Sequence, residues 1–236
     1  MDEPSRHGTI AASLSAVRQR LARSLERAGR SRADVRLVAV SKTRPPEDIR
    51  AAVGAGQLDF GENRVQEALE KIGLTADMPI SWHLVGHLQS NKARKAAAAF
   101  AWIHSIDGVD LLRRVDEAAA DAGRSPVVLV QVDLAGEPTK HGVAADACLP
   151  IFEAGAACRA ASVGGLMVLP PFTEDPEEAR PYFRRLRELR DALAGRGVPA
   201  AMLRELSMGM SHDFEVAVEE GATVVRVGTA IFGERA

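Results

Sequence analysis

The chain has 236 residues, 46% of them hydrophobic and 26% charged, with a formal net charge of −2 and a pI near 6.3. This balance gives no general attraction for nucleic acid or acidic membranes, and the longest apolar stretch, residues 96–103, is too short to cross a bilayer. The polar start MDEPSRHGT lacks the apolar segment of a signal peptide, so the expectation is a reduced, cytoplasmic protein that folds without disulfide or metal.

The first segment, 10–28, spaces Leu14, Val17, Leu21 and Leu25 by threes and fours, which predicts an amphipathic helix stopped at Gly29. Residues 35–40, VRLVAV, form a short β-branched run of the kind buried on both faces of a parallel sheet. From there helix and strand alternate. Helices are expected at 46–55, 65–72, 91–99, 109–122, 144–159, 176–194 and 213–220, and strands at 58–61, 80–85, 101–106, 127–134, 163–169, 204–207 and 222–228. The two cysteines, Cys148 and Cys158, then share one helix about 15 Å apart, too far to bridge within it. Eight strands with helices between them and no linker predict one (β/α)₈ barrel over residues 1–236, with residues 1–34 as a helical extension. The rival doubly wound sheet calls for a glycine-rich loop after the first strand, where this chain has SKTRPP. Aromatics are only 4% of the chain, so Val, Leu, Ile and Ala are expected to fill the barrel.

Chemistry in such barrels gathers at the carboxyl ends of the strands. Lys42 follows the first strand, and a desolvated amine there would be a nucleophile able to form a Schiff base. Glu62 and Asn63 follow the second strand, His83 closes the third, and the sixth ends near Met167. SMGMS (207–211) precedes a helix, and Gly228 and Thr229 follow the last strand. Together they form the two halves of a phosphate cradle in the loops where barrels commonly bind one. Arg226 alternates with Val225 and Val227 on a buried strand. It either forms a structural ion pair, with Glu205 or Glu62, or serves as the charged partner of a ring nitrogen or anion. His83 and His87 lack the glutamate and helix of a zinc protease, and no metal is expected. The basic run 91–95 reads as a solvated helix face, and Lys140 and His141 are further anion candidates after the fifth strand.

The segments AVSKT (39–43), FGENRVQE (60–67), WHLVGHLQSNKARK (82–95), SMGMSHDF (207–214) and VRVGTAIFGER (225–235) closely resemble the YggS/PROSC family of pyridoxal phosphate homeostasis proteins. The resemblance implies a fold like the N-terminal barrel of alanine racemase, with pyridoxal 5′-phosphate (PLP) as a Schiff base on Lys42. It implies phosphate contacts from Ser207, Ser211, Gly228 and Thr229, with Arg226 facing the pyridine nitrogen and Asn63, His83 and Met167 lining the pocket. An arginine there stays charged and donates, leaving the ring nitrogen unprotonated and the ring a poorer electron sink. A related racemase takes its second base, a tyrosine, from an additional β-domain; the single tyrosine here, Tyr182, falls in the helix after the sixth strand. The expectation is a monomeric PLP carrier that passes its cofactor to apo-enzymes, ahead of a low-activity amino-acid racemase and of a Schiff-base aldolase acting on sugar phosphates.

Overall fold

The computed structural model describes residues 6–136 and 141–234. Helix α1 (Arg6–Arg27) precedes the alternating elements β1 (Arg36–Val40), α2 (Pro46–Gly54), β2 (Asp59–Glu62), α3 (Val65–Leu74), β3 (Ser81–Leu84), α4 (Ala93–Ala99), β4 (Trp102–Ile106), α5 (Val109–Asp121) and β5 (Val127–Asp133). A two-residue strand β6 (Val143–Ala144) precedes α6 (Leu149–Gly155), β7 (Ser162–Val168), α7 (Arg180–Gly195), β8 (Glu205–Ser207), α8 (Phe214–Glu219), β9 (Val224–Val227) and α9 (Thr229–Phe232). The parallel strands run β4-β3-β2-β1-β9-β8-β7-β5, and β4 pairs with β5, so the sheet closes on itself; β6 is an appendage on β5. The fold is the expected (β/α)₈ barrel.

Local sequence explains most element boundaries. Gly29, at φ 64°, takes the left-handed turn that ends α1. Pro46 starts α2 at the position where a missing N–H costs nothing. Ile10, Leu14, Val17, Leu21 and Leu25 are buried where α1 packs on α2, α8 and α9, each worth roughly 2 kcal/mol of apolar burial. Among the described residues no helix is long and apolar enough to cross a membrane.

The expected single helix over 144–159 is not one element. Residues 145–147 form a 3₁₀ turn and α6 spans only Leu149–Gly155, leaving Cys148 ahead of it and Cys158 beyond it. Gly155 closes the helix tightly, since a Cβ there would lie 2.5 Å from the Val163 side chain. Both thiols are free, and burial pushes Cys148 up to about 12 and Cys158 up to about 11.

The barrel interior also departs from the aliphatic filling expected. Leu37, Ala39, Phe60, Leu84, Ile103, Val130, Leu206 and Val225 belong to the apolar cluster shared with the surrounding helices. His83, His104, Gln131, Met167, Ser207 and Arg226 alternate with such residues, are buried, and stand outside that cluster. A hydrogen bond between His104 Nδ1 and Ser207 Oγ, 2.8 Å, joins β4 to β8. These strands are not neighbours in the sheet, so the contact crosses the lumen. Val38, Leu129 and Val224 share that inward parity and are wholly buried outside the cluster, so aliphatic and polar groups fill the inside together.

Candidate functional site

Lys42 lies half-buried in the turn after β1, between two residues fixed from outside the barrel. Lys71, on α3, donates to Ser41 O, Glu62 Oε1 and Glu67 Oε1, all at 2.7 Å. Glu67 Oε1 also accepts from Thr43 N at 2.5 Å, and Ser41 Oγ donates to Glu62 Oε1 at 2.7 Å. The peptide groups on both sides of Lys42 are thereby held, and Thr43 keeps a left-handed φ of 63°. Burial raises the Glu62 carboxyl despite the hydrogen bond and charge of Lys71. For Glu67 burial is outweighed by the bonds from Lys71 and Thr43, and its carboxyl is lowered. Sequence position groups Glu62 with the mouth of the barrel; its partners instead place it between β2 and α3.

The phosphate-type cradle is partly assembled. The N–H groups of Gly228 and Ala230 converge on Ser211 Oγ, at 3.1 and 3.3 Å, while Thr229 is exposed at the start of α9. Donors already aimed at one oxygen suit an anion. A Cβ on Gly228 would come within 3.3 Å of Val40 O, and Arg44 donates to Gly233 O and to Glu234 O, so the loops after β1 and β9 touch. Gly209, at φ 91°, lets the preceding loop turn, and its carbonyl accepts from Arg226 N at 2.9 Å.

Arg226 is buried at 3% exposure. Its guanidinium donates to Ser207 Oγ and, at 2.9 Å, to Val168 O. Neither expected ion-pair partner reaches it, because Glu205 accepts from Thr223 and Glu62 from Lys71 and Ser41. Burial lowers the guanidinium to about 10, with the Asp213 charge opposing, so it remains a cation at neutral pH. Among the described residues it forms no ion pair, which leaves an anion-seeking charge inside the barrel.

Ser207 and His83 sit behind this cation. The wholly buried Ser207 hydroxyl is engaged by Arg226 and His104. His83, equally buried, contacts His104 Nε2 through Nδ1 at 3.0 Å and Asp59 Oδ1 through Nε2 at 3.1 Å. Met167 is wholly buried opposite Ser207 in the β7–β8 register. Asn63 is half-buried just beyond β2, and Gly86 permits the next loop to close on it, since a Cβ there would lie 2.3 Å from Asn63 O. Sequence reasoning missed Lys71, Glu67, His104 and Asp59.

Other candidates fall elsewhere. Lys140 lies outside the described residues, and the His141 ring stacks on His87 with centroids 3.6 Å apart and planes at 9°. Asp107 lies 3.6 Å from His87 Nδ1, but parallel rings do not converge their lone pairs on one ion. A cleft of about 610 Å³ beside them, lined by His87, Gln89, Asn91, Asp107 and Arg114, contains none of the barrel-mouth residues above.

Residues 12–236 match the family model described as alanine racemase, N-terminal domain. A protein of Aquifex aeolicus named "Pyridoxal phosphate homeostasis protein" is 46% identical over 222 residues, covering 94% of this chain and 96% of that protein. PipY of Synechococcus elongatus, solved with PLP bound, is 40% identical with a TM-score of 0.84, covering 95% of this chain and all of that one. An alanine racemase of Clostridium difficile shares the fold alone, at 14% identity and a TM-score of 0.73 over 94% of this chain and 57% of its own. The chain belongs to the alanine racemase N-terminal domain family and, within it, to the pyridoxal phosphate homeostasis proteins.

Proposed function

We propose that this protein binds PLP as a Schiff base on Lys42 and serves to hold and hand on the cofactor inside the cell, with apo-enzymes as recipients. The observation that carries this reading is the meeting of three groups at one end of the barrel. These are a lysine on a clamped turn, N–H groups converging on Ser211 in the adjoining loops, and a buried arginine that forms no salt bridge among the described residues, although the Asp213 charge acts on it. This donor set fits PLP, which supplies an aldehyde, a dianionic phosphate and a ring nitrogen that accepts a hydrogen bond. The names of the relatives and the PLP-bound PipY structure point the same way.

In this reading Ser211, Gly228 and Thr229 take the phosphate, Arg226 donates to the ring nitrogen, and Asn63 and Met167 line the pocket. His83 and Ser207 contribute from behind Arg226. Arginine keeps the ring nitrogen unprotonated, which weakens electron withdrawal and suits retention better than turnover. Tyr182, in the first turn of α7, packs against the apolar cluster, and none of the site hydrogen bonds given above involves it.

Borohydride reduction of the PLP-loaded protein followed by peptide mapping tests the proposal. The expected adduct is on Lys42, and Lys42→Ala removes both it and the yellow colour. Trapping on a different lysine refutes the assignment. Racemisation of alanine at ordinary enzyme rates, lost in Lys42→Ala, refutes the carrier reading.

A further inference from the structure

Five polar side chains form one hydrogen-bonded line through the barrel: Arg226, Ser207, His104, His83 and Asp59. Asp59 opens β2 at the amino end of the barrel, where Arg36 at the start of β1 also donates to it at 2.8 Å. Arg226 lies on β9, one residue before the carboxyl end of that strand. The line therefore runs from the amino-end rim to the cation beneath the site.

Its direction follows from donor and acceptor inventory. A guanidinium only donates and an ionised carboxylate only accepts, while a neutral imidazole has one of each. Burial lowers both histidines, His104 well below its ordinary value, and so keeps the rings neutral. At Asp59 the His83 bond and the Arg36 charge outweigh burial and keep the carboxylate ionised. Asp59 must then receive the proton of His83 Nε2, which leaves Nδ1 to accept from His104 Nε2. His104 Nδ1 in turn accepts the Ser207 hydroxyl proton, and the Ser207 lone pairs accept from Arg226. Reversing either imidazole would set the lone pair of His83 Nε2 against the carboxylate 3.1 Å away.

Stability alone does not call for such a line, because Val and Leu would fill the lumen with no buried polar group to satisfy. We propose that His104 and His83 are positioning residues for Arg226. Anchored by Asp59, they hold the Ser207 proton away from the guanidinium, so that Ser207 Oγ and Val168 O fix its orientation and its remaining N–H groups serve the ring nitrogen of PLP. The line stands on geometry; the identity of the ligand it serves rests on the PLP reading above.

Two measurements decide it. In the cofactor-free protein, NMR of the imidazole nitrogens is expected to find both rings neutral with the proton on Nε2 from about pH 6 to 8. A proton on His104 Nδ1 overturns the proposal. In the loaded protein, His104→Phe is expected to shift the NMR signal of the pyridine nitrogen and to weaken PLP retention roughly tenfold, the scale of one buried hydrogen bond to a charged group. His104→Gln, which retains a donor and an acceptor, is expected to restore most of both. A folded His104→Phe protein with an unchanged ring-nitrogen signal and unchanged retention overturns it. Should the wild type form no adduct on Lys42, the PLP reading falls and takes the ligand half with it, while the imidazole protons still decide the positioning half.

Discussion

Replacing Lys71 by methionine probes the support beneath Lys42. Methionine keeps the apolar stem but removes three bonds of 2.7 Å, two of them to carboxylates. The Lys71 side chain is 8% exposed and that of Glu62 is fully enclosed, so this pair lies at the buried extreme. Removing one partner of such a pair costs about 3–5 kcal/mol, because the remaining charge stays desolvated. Among the described residues Glu62 Oε2 already lacks a hydrogen-bond partner, and without Lys71 the other oxygen retains only the Ser41 hydroxyl. For a chain of this length the loss corresponds to a melting point lower by on the order of 10 °C. The pH dependence has a definite sign. Burial raises the Glu62 carboxyl in the folded state, and loss of the cation raises it further. The folded protein then binds a proton that the unfolded one gives up, so the penalty grows as pH rises and is larger at about pH 8 than at about pH 5. Urea titrations of Lys71→Met, Glu62→Gln and the double variant measure the coupling directly. The double variant is expected to recover about 2 kcal/mol relative to Lys71→Met. A loss below about 1 kcal/mol that does not vary with pH, or a double variant no better than Lys71→Met, refutes the reasoning.

Asp116 on α5 accepts from the backbone N–H groups of Arg159, Ala160 and Ala161 at 3.0, 2.8 and 2.8 Å, tying the segment before β7 to the helix layer. Asp116→Ala is expected to cost about 3 kcal/mol in urea denaturation. Burial raises this carboxyl but the three backbone bonds outweigh it, so its contribution is present above the ordinary aspartate value of about 3.9 and lost as pH falls through the lower folded value. The difference between variant and wild type is therefore expected to shrink below about pH 4. Ser211→Ala removes the hydroxyl on which two N–H groups converge. Equilibrium dialysis is expected to show PLP retention about tenfold weaker, with thermal stability changed by less than about 1 kcal/mol.

The barrel was legible because each strand is buried between lumen and helices and reads as a short apolar run. VRLVAV and VVLVQVDL needed no tertiary context. The segment 144–159 reads as one helix because its alanines favour helix in any register, whereas the closure at Gly155 depends on contact with Val163 of β7, which local sequence does not encode. The placing of Lys42, Ser211, Gly228 and Arg226 toward one end of the barrel follows from position alone, since strand ends are where loops converge. The line behind Arg226 does not, because its links span 19, 103, 21 and 24 residues. A signal was nonetheless present. His83 lies between Trp82 and Leu84, Gln131 between Val130 and Val132, and Ser207 between Leu206 and Met208. A polar residue flanked by apolar ones on several strands of a closed barrel marks a polar lumen, because alternation sends the flanking residues outward.

Two supports thus meet at the carboxyl end of the barrel from opposite sides. The turn carrying Lys42 is held from outside, by the Lys71 cluster between β2 and α3, and Arg226 is held from inside, by a line reaching Asp59 at the far rim. No hydrogen bond described above connects the two. Damage to the outer cluster should therefore impair formation of a covalent link at Lys42 while leaving the hydrogen-bonding state of Arg226 intact. Damage to the inner line should do the reverse. In the carrier reading proposed above, such a division would let the strength of the covalent link and the grip on the ring vary independently.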